Sequence, residues 1–241
     1  MSALKPLGRV APSDYDHVEA YPLEALSPEE RPTHQPVAPG TNWYTGFDNP
    51  VKGTDGRYRL PAKRLGTIRG GHCYCLEPAP QPGQPAGEQD TDRLWSFYDQ
   101  GQEGACEGFG HARRFSLIHG KTFDAFRLYD DARRIEGTYP SGEGATNKTV
   151  CEALEKWGIH LQNGSVAHRS NSPIKHPIAI GTYRWAKTAD EVLAVLGYTS
   201  GSEIPLLNSW GTAYPEQVYM APEVLERLLR EGGECDVLTE R

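Results

Sequence analysis

A chain of 241 residues is long enough to form one domain of medium size, or two small ones, around a substantial hydrophobic core. Hydrophobic residues make up 37% of it and charged residues 24%, which is typical of a soluble globular protein. The net charge is −7 and lysine and arginine are not clustered, so we expect no nucleic-acid partner. The longest apolar stretch, Val192–Leu196, is too short to cross a bilayer, and the first residues lack the apolar segment of a secretory signal. We therefore expect a cytoplasmic protein without a membrane partner.

The cysteines favour free thiols in a reducing compartment, because their number is odd. They are Cys73, Cys75, Cys106, Cys151 and Cys235. The segment His72-Cys-Tyr-Cys75 offers one imidazole and two thiols as possible ligands, but a single Cys-x-Cys pair without a second pair is a weak zinc pattern. We predict no metal and no cofactor.

Residues 1–91 are predicted to form a proline-rich N-terminal extension. Residues 1–90 hold 13 of the 19 prolines, which disfavour helices, and two short segments, Thr41–Phe47 and Tyr58–Leu60, have the character of strands. The stretch Glu77–Gly87 is typical of an exposed linker or surface loop. Three roles for the extension remain open: wrapping the domain that follows, acting as a pro-segment, or anchoring a partner.

From residue 92 onwards the periodicity becomes helical. The predicted helices are Cys106–His119, Thr122–Ile135, Thr146–Trp157 and Pro222–Leu229. Thr188–Leu196 fits a short helix or a strand, and Ile204–Trp210 fits a strand. Cys151 falls on the apolar face of its helix, which favours a packing role.

A glycine-rich segment, residues 99–110, brings Cys106 to the first turn of a helix. Unpaired backbone N–H groups and the helix dipole favour a thiolate at that end, and the same groups, together with the amide of Gln100, can hold an oxyanion. The alternative is a buried, unreactive cysteine after a tight turn.

This segment resembles the signature around the nucleophile of the papain-like cysteine peptidases. Gln100 stands six residues before Cys106, the spacing of the family's oxyanion glutamine, and Phe109 also matches. A second segment, Asn208-Ser-Trp-Gly-Thr212, is similar to the signature whose asparagine orients the catalytic imidazole and whose tryptophan, here Trp210, shields that hydrogen bond. Two signatures in the expected order are more specific than either alone.

The resemblance implies a fold and a domain boundary. The fold is α+β and papain-like with two lobes, and the domain covers residues 92–241. A helical left lobe spans about residues 92–160, and a β-rich right lobe, complete or shortened, spans about residues 161–235.

The resemblance leaves the catalytic base open. Glu191 occupies the position where the family's histidine is expected, and a carboxylate cannot replace an imidazolium as the acid for a leaving amine. Either His176, at the start of a strand-like segment, is the true equivalent, or the histidine strand has been deleted. Glu107, beside the thiol, is expected to oppose its ionisation.

Two functions follow from the resemblance. The first is a cysteine peptidase or related acyl transferase, in which Cys106 attacks a peptide or amide carbonyl. The second is a catalytically inactive papain-fold protein that binds a protein partner or serves a structural role, for example in a virion. The pattern around Cys106 also resembles peptidase-like proteins of actinobacteria and their phages.

Overall fold

The computed structural model describes residues 21–81, 97–169 and 176–240. Within these ranges the chain is a mixed α+β protein with two β-sheets. The strands are β1 Ala38–Tyr44, β2 Val51–Lys52, β3 Tyr58–Arg59, β4 Ile68–Cys73, β5 Cys75–Leu76, β6 Ile180–Trp185, β7 Ile204–Leu207, β8 Val218–Met220 and β9 Glu234–Glu240. The α-helices are α1 Cys106–His119, α2 Ala125–Glu136, α3 Asn147–Trp157, α4 Ala189–Leu196 and α5 Pro222–Arg230. Among these described helices, none has both the length and the apolar character of a membrane span.

Both sheets combine strands from the two ends of the chain. The four-stranded sheet has the order β4-β1-β9-β6, and the five-stranded sheet has the order β2-β3-β8-β7-β5. In the first sheet, Ala38 of β1 lies opposite Asp236 of β9. In the second, Cys75 of β5 lies opposite Leu207 of β7, and β3 pairs with β8 in parallel.

This pairing involves the predicted N-terminal extension, residues 1–91. Residues 38–76 supply strands to both sheets, so this part of the predicted extension is integral to the same unit as residues 97–240. The proline content of residues 1–90 suggested extended backbone, which the structure has. A composition bias could not show that the extended segments pair with strands more than a hundred residues away.

The helix boundaries follow local signals. The predicted helix Cys106–His119 is confirmed, and Gly120 ends it with a φ of 62°, a left-handed conformation that glycine adopts without strain. Thr146 forms a capping box with Thr149 at the start of α3. Thr188 and Glu191 form a second capping box, which makes the ambiguous segment a helix, α4.

Helix α1 lies against both α2 and the strands, and glycine makes this close approach feasible. A β-carbon at Gly108 would lie 2.4 Å from the carbonyl oxygen of Ala125 and 2.9 Å from the amide nitrogen of Tyr129. A β-carbon at Gly110 would lie 2.6 Å from Sγ of Cys73. One hydrophobic cluster surrounds α1 to α3, and another lies among the strands, α4 and α5.

We predict that Gly108→Ala lowers the free energy of unfolding by about 1–3 kcal/mol, because the new methyl group collides with the backbone of α2. Without the collision, alanine inside a helix would raise the free energy of unfolding by about 1 kcal/mol relative to glycine, so the sign of the change is informative. The free energy of unfolding is measured by urea denaturation. Ile118→Ala on the exposed side of the same helix is the control, with an expected change of about 0.5 kcal/mol or less. A Gly108→Ala chain as stable as the wild type would contradict this packing.

Candidate functional site

The predicted nucleophile lies at the amino-terminal end of α1. Cys106 is the first residue of the helix, and Ala105 before it has no side-chain acceptor to cap the N–H groups of the first turn. These groups and the helix dipole favour negative charge at this position. Cys106 is fully buried and packs with Ala38 of β1 and Cys73 of β4. Strands from the predicted extension therefore contact the candidate nucleophile.

A histidine absent from the sequence-based assignment lies beside this cluster. His72 precedes Cys73 on β4, and its Nε2 lies 2.8 Å from Oδ1 of Asn208. The backbone N–H of Ser209 also donates to Oδ1, over 2.7 Å, which fixes that atom of the amide as the oxygen. Nε2 of His72 must therefore be the donor. In the neutral ring the proton is on Nε2, and Nδ1 is the basic nitrogen.

The ring nitrogen of His72 that faces away from Asn208 is Nδ1, which has no hydrogen-bond partner among the described residues. The adjacent residue on β4, Cys73, packs in the same cluster as Cys106. Because successive side chains of a strand point to opposite faces of the sheet, His72 leaves β4 on the other face from Cys73, where it lies against Asn208 and Trp210.

Two tryptophans enclose the bond between His72 and Asn208. The ring of Trp210 lies 5.1 Å from the imidazole at an angle of 30°, and the ring of Trp43 meets it edge-on at 4.8 Å. Asp48 accepts from Nε1 of Trp43 over 2.9 Å and from Arg69 over 2.8 Å. The guanidinium of Arg69 lies over Trp210. The position of Trp210 is compatible with the shielding role predicted for it. Trp43 also packs against the imidazole, from another side.

The enclosure determines the charge of the imidazole. Burial lowers the pKa of His72 to about 3; the hydrogen bond to Asn208 opposes this shift and the positive charge of Arg69 adds to it. His72 is therefore neutral near pH 7.

Gln100 and α1 are both tied to the segment that carries Asn208. The backbone N–H of Gln100 donates to the carbonyl of Ser209 over 2.9 Å, and the hydroxyl of Ser209 donates to the side-chain oxygen of Gln100. The side-chain nitrogen of Gln100 donates to the carbonyl of Glu103 over 2.7 Å. Arg113 of α1 donates to the carbonyl of Asn208. These bonds hold Gln100 next to the segment that carries Asn208.

The two positions considered for the base, 176 and 191, lie elsewhere. His176 is exposed on the segment before β6, and its carbonyl accepts from the N–H of Arg169. Oε2 of Glu191 accepts from the N–H groups of Lys187 and Thr188 at the start of α4. The side-chain oxygen of Asn208 is bonded to His72, and the tentative catalytic role of His176 stays a prediction.

The carboxyl group of Glu107 differs from the sequence expectation. Glu107 is buried, and burial raises its pKa well above the ordinary value, although a hydrogen bond with Cys73 opposes the shift. Burial therefore disfavours a negative charge on this group beside Cys106.

His72 stands in a segment whose composition is a signal for burial. Its four following residues, Cys73 to Leu76, are completely buried, and the segment forms the end of β4 and all of β5. A histidine inside such a segment is buried too and needs a polar partner. The papain-like resemblance places the histidine after the cysteine in the chain, whereas His72 comes before Cys106.

We predict that His72 makes the protein less stable in acid. The unfolded chain binds a proton on histidine below about pH 6.5, whereas the folded chain does not until its own pKa near 3. The free energy of unfolding therefore falls as the pH is lowered through this window. His72→Gln should remove up to about 4 kcal/mol of that fall. Denaturant unfolding at a series of pH values measures it.

The matched control is His176→Gln, which changes an exposed histidine and should leave the pH dependence as in the wild type. Equal slopes for the wild type and His72→Gln between pH 6.5 and 3.5 would show that His72 is not held neutral by burial.

Comparisons of the chain with family models, with curated proteins and with solved structures found no match. The roles considered below rest on the geometry of Cys106, His72, Asn208 and Gln100.

Proposed function

We propose that the protein is a papain-like cysteine peptidase or a related acyl transferase, with Cys106 as nucleophile and His72 as general base and acid. Asn208 orients the imidazole and Gln100 contributes to the oxyanion site. The observation that carries the proposal is the 2.8 Å hydrogen bond from His72 Nε2 to Asn208 Oδ1, which directs the basic Nδ1 away from the asparagine. In this proposal the papain-like arrangement has its histidine strand before its nucleophile in the chain.

The chemistry follows from the roles of these groups. Nδ1 of His72 takes the proton of the Cys106 thiol as the sulfur attacks a peptide or amide carbonyl. The developing oxyanion receives hydrogen bonds from the first-turn N–H groups of α1 and from Gln100. The imidazolium then protonates the leaving amine, and the acyl thioester passes to water or to another nucleophile. The bond to Asn208 stabilises the imidazolium while it exists.

Burial of the site favours a second candidate function. Cys106, His72 and Gln100 are each 0% exposed, so a substrate cannot reach the sulfur in this form. A protein that never opens this site would be an inactive papain-fold protein with a binding or structural role, virion association included. Under the first function, the site opens to admit a peptide or protein substrate.

A reducing location is part of the proposal. All five cysteines are free thiols and all are buried. A catalytic thiol remains active only where it stays reduced, and the cytoplasm meets that condition.

We predict that iodoacetamide alkylates Cys106 at pH 6 about ten-fold or more faster in the wild type than in His72→Ala, because in the proposed mechanism His72 takes up the thiol proton once the site has opened. Peptide mapping by mass spectrometry at timed intervals measures the rate at each cysteine. The same mapping gives Cys235, a buried thiol outside the site, as an internal standard.

The control variant is His176→Ala, which should label Cys106 at the wild-type rate. Labelling of Cys106 that appears only above about pH 8, the range of an unperturbed thiol, would contradict catalysis and favour the inactive candidate. A His176→Ala chain that loses labelling while His72→Ala retains it would transfer the role of base to His176.

A further inference from the structure

A second group of reactive side chains lies in the core, formed by residues from four elements. They are Cys73 of β4, Glu107 and His111 of α1, Cys151 of α3 and Asp236 of β9. All are buried. The donor atoms of Cys73, Glu107 and His111 lie within 4.8 Å of one another, and so do those of His111, Cys151 and Asp236. His111 belongs to both sets.

The hydrogen bonds of His111 are those of a histidine that can bind a metal through Nε2. Nδ1 lies 2.9 Å from the carbonyl oxygen of Glu107, which only accepts, so Nδ1 carries a proton. Nε2 lies 3.1 Å from Oδ1 of Asp236. Zinc held at about 2.0–2.2 Å by nitrogen and oxygen ligands separates them by a little over 3 Å in a tetrahedral site. A backbone carbonyl that holds the other N–H is a common partner of metal-binding histidines.

One polar atom of the group has no partner, although its neighbours are hydrogen-bonded. The carboxylate of Asp236 faces Nε2 of His111 through Oδ1, and Nη1 of Arg114 lies 2.6 Å from its Oδ2. By contrast, Oε2 of Glu107 is buried and has no hydrogen-bond partner among the described residues. A buried carboxyl oxygen of this kind offers a ligand atom to a cation.

We propose that His111, Cys151 and Asp236 bind one thiophilic divalent cation of the zinc class, with Glu107, which shares the other set with His111, as the fourth ligand. The thiol of Cys151 loses its proton on binding, because the thiolate is the ligand. With Glu107 bound as a carboxylate, the cation and Arg114 carry three positive charges against three negative charges on Cys151, Asp236 and Glu107. The ion gives the buried carboxyl group of Glu107 a partner and joins α1 to α3 and β9.

The experiment loads cobalt(II) into the full chain without an affinity tag, refolded from a metal-free denatured state, since the site is closed once folded. The chain carries Cys106→Ser, which removes the candidate catalytic thiol as a competing ligand. We expect about one cobalt per chain with a thiolate-to-cobalt charge-transfer band in the near ultraviolet, and zinc should displace it. No bound cobalt, or bound cobalt without that band, overturns the proposal.

Two further variants locate the ion. Cys151→Ser should abolish the charge-transfer band, whereas Cys75→Ser, which changes a buried thiol outside the cluster, should retain it. Glu107→Gln keeps the shape of the side chain, and it should weaken cobalt binding about ten-fold or more. If Cys151→Ser does not fold, the cobalt affinity of Glu107→Gln alone tests the location of the ion. A band that survives Cys151→Ser, or an unchanged affinity in Glu107→Gln, places the ion elsewhere and overturns the proposal.

Discussion

The hydrogen bond from His72 to Asn208 joins the parts of this structure to which we assign the proposed chemistry. It connects β4, in the first of the three described ranges, with the segment after β7. A single bond of this kind is worth only about 1 kcal/mol in stability, so its importance lies in orientation. By using Nε2 it fixes the tautomer of the ring, and the surrounding tryptophans keep water away from it.

The interleaved sheets explain how the bond is formed. β4 lies at the edge of the sheet that contains β9, and β5, two residues further along the chain, pairs with β7, which leads to Asn208. His72 and Asn208 are therefore held by neighbouring strand ends, while α1 carries Cys106 to the same region. The proposed metal cluster would use the same elements, because Cys73 and Glu107 are adjacent in sequence to His72 and Cys106.

Much of the local structure could be predicted from the sequence, and the long-range pairing could not. The helix Cys106–His119 follows from its periodicity and its terminal glycine, and Gln100, Cys106 and Asn208 were selected by their spacing. Strands β1 to β5 gave little signal because several have only two residues and their partners are remote. From the sequence, the base is therefore His176 or no residue, because the chain order of the family is the guide to spatial order there. Burial also raises the pKa of Glu107, which its position beside the thiol could not reveal.

The central claim is that Nδ1 of His72 serves the sulfur of Cys106. The most direct measurement is nitrogen NMR of the His72 imidazole, with the Cys106 thiol free and again after its conversion to a methyl disulfide. The account predicts that Nε2 stays protonated and hydrogen-bonded in both forms, whereas the Nδ1 resonance shifts when the sulfur is modified. An Nδ1 resonance that does not respond, or a proton found on Nδ1 in place of Nε2, would contradict it.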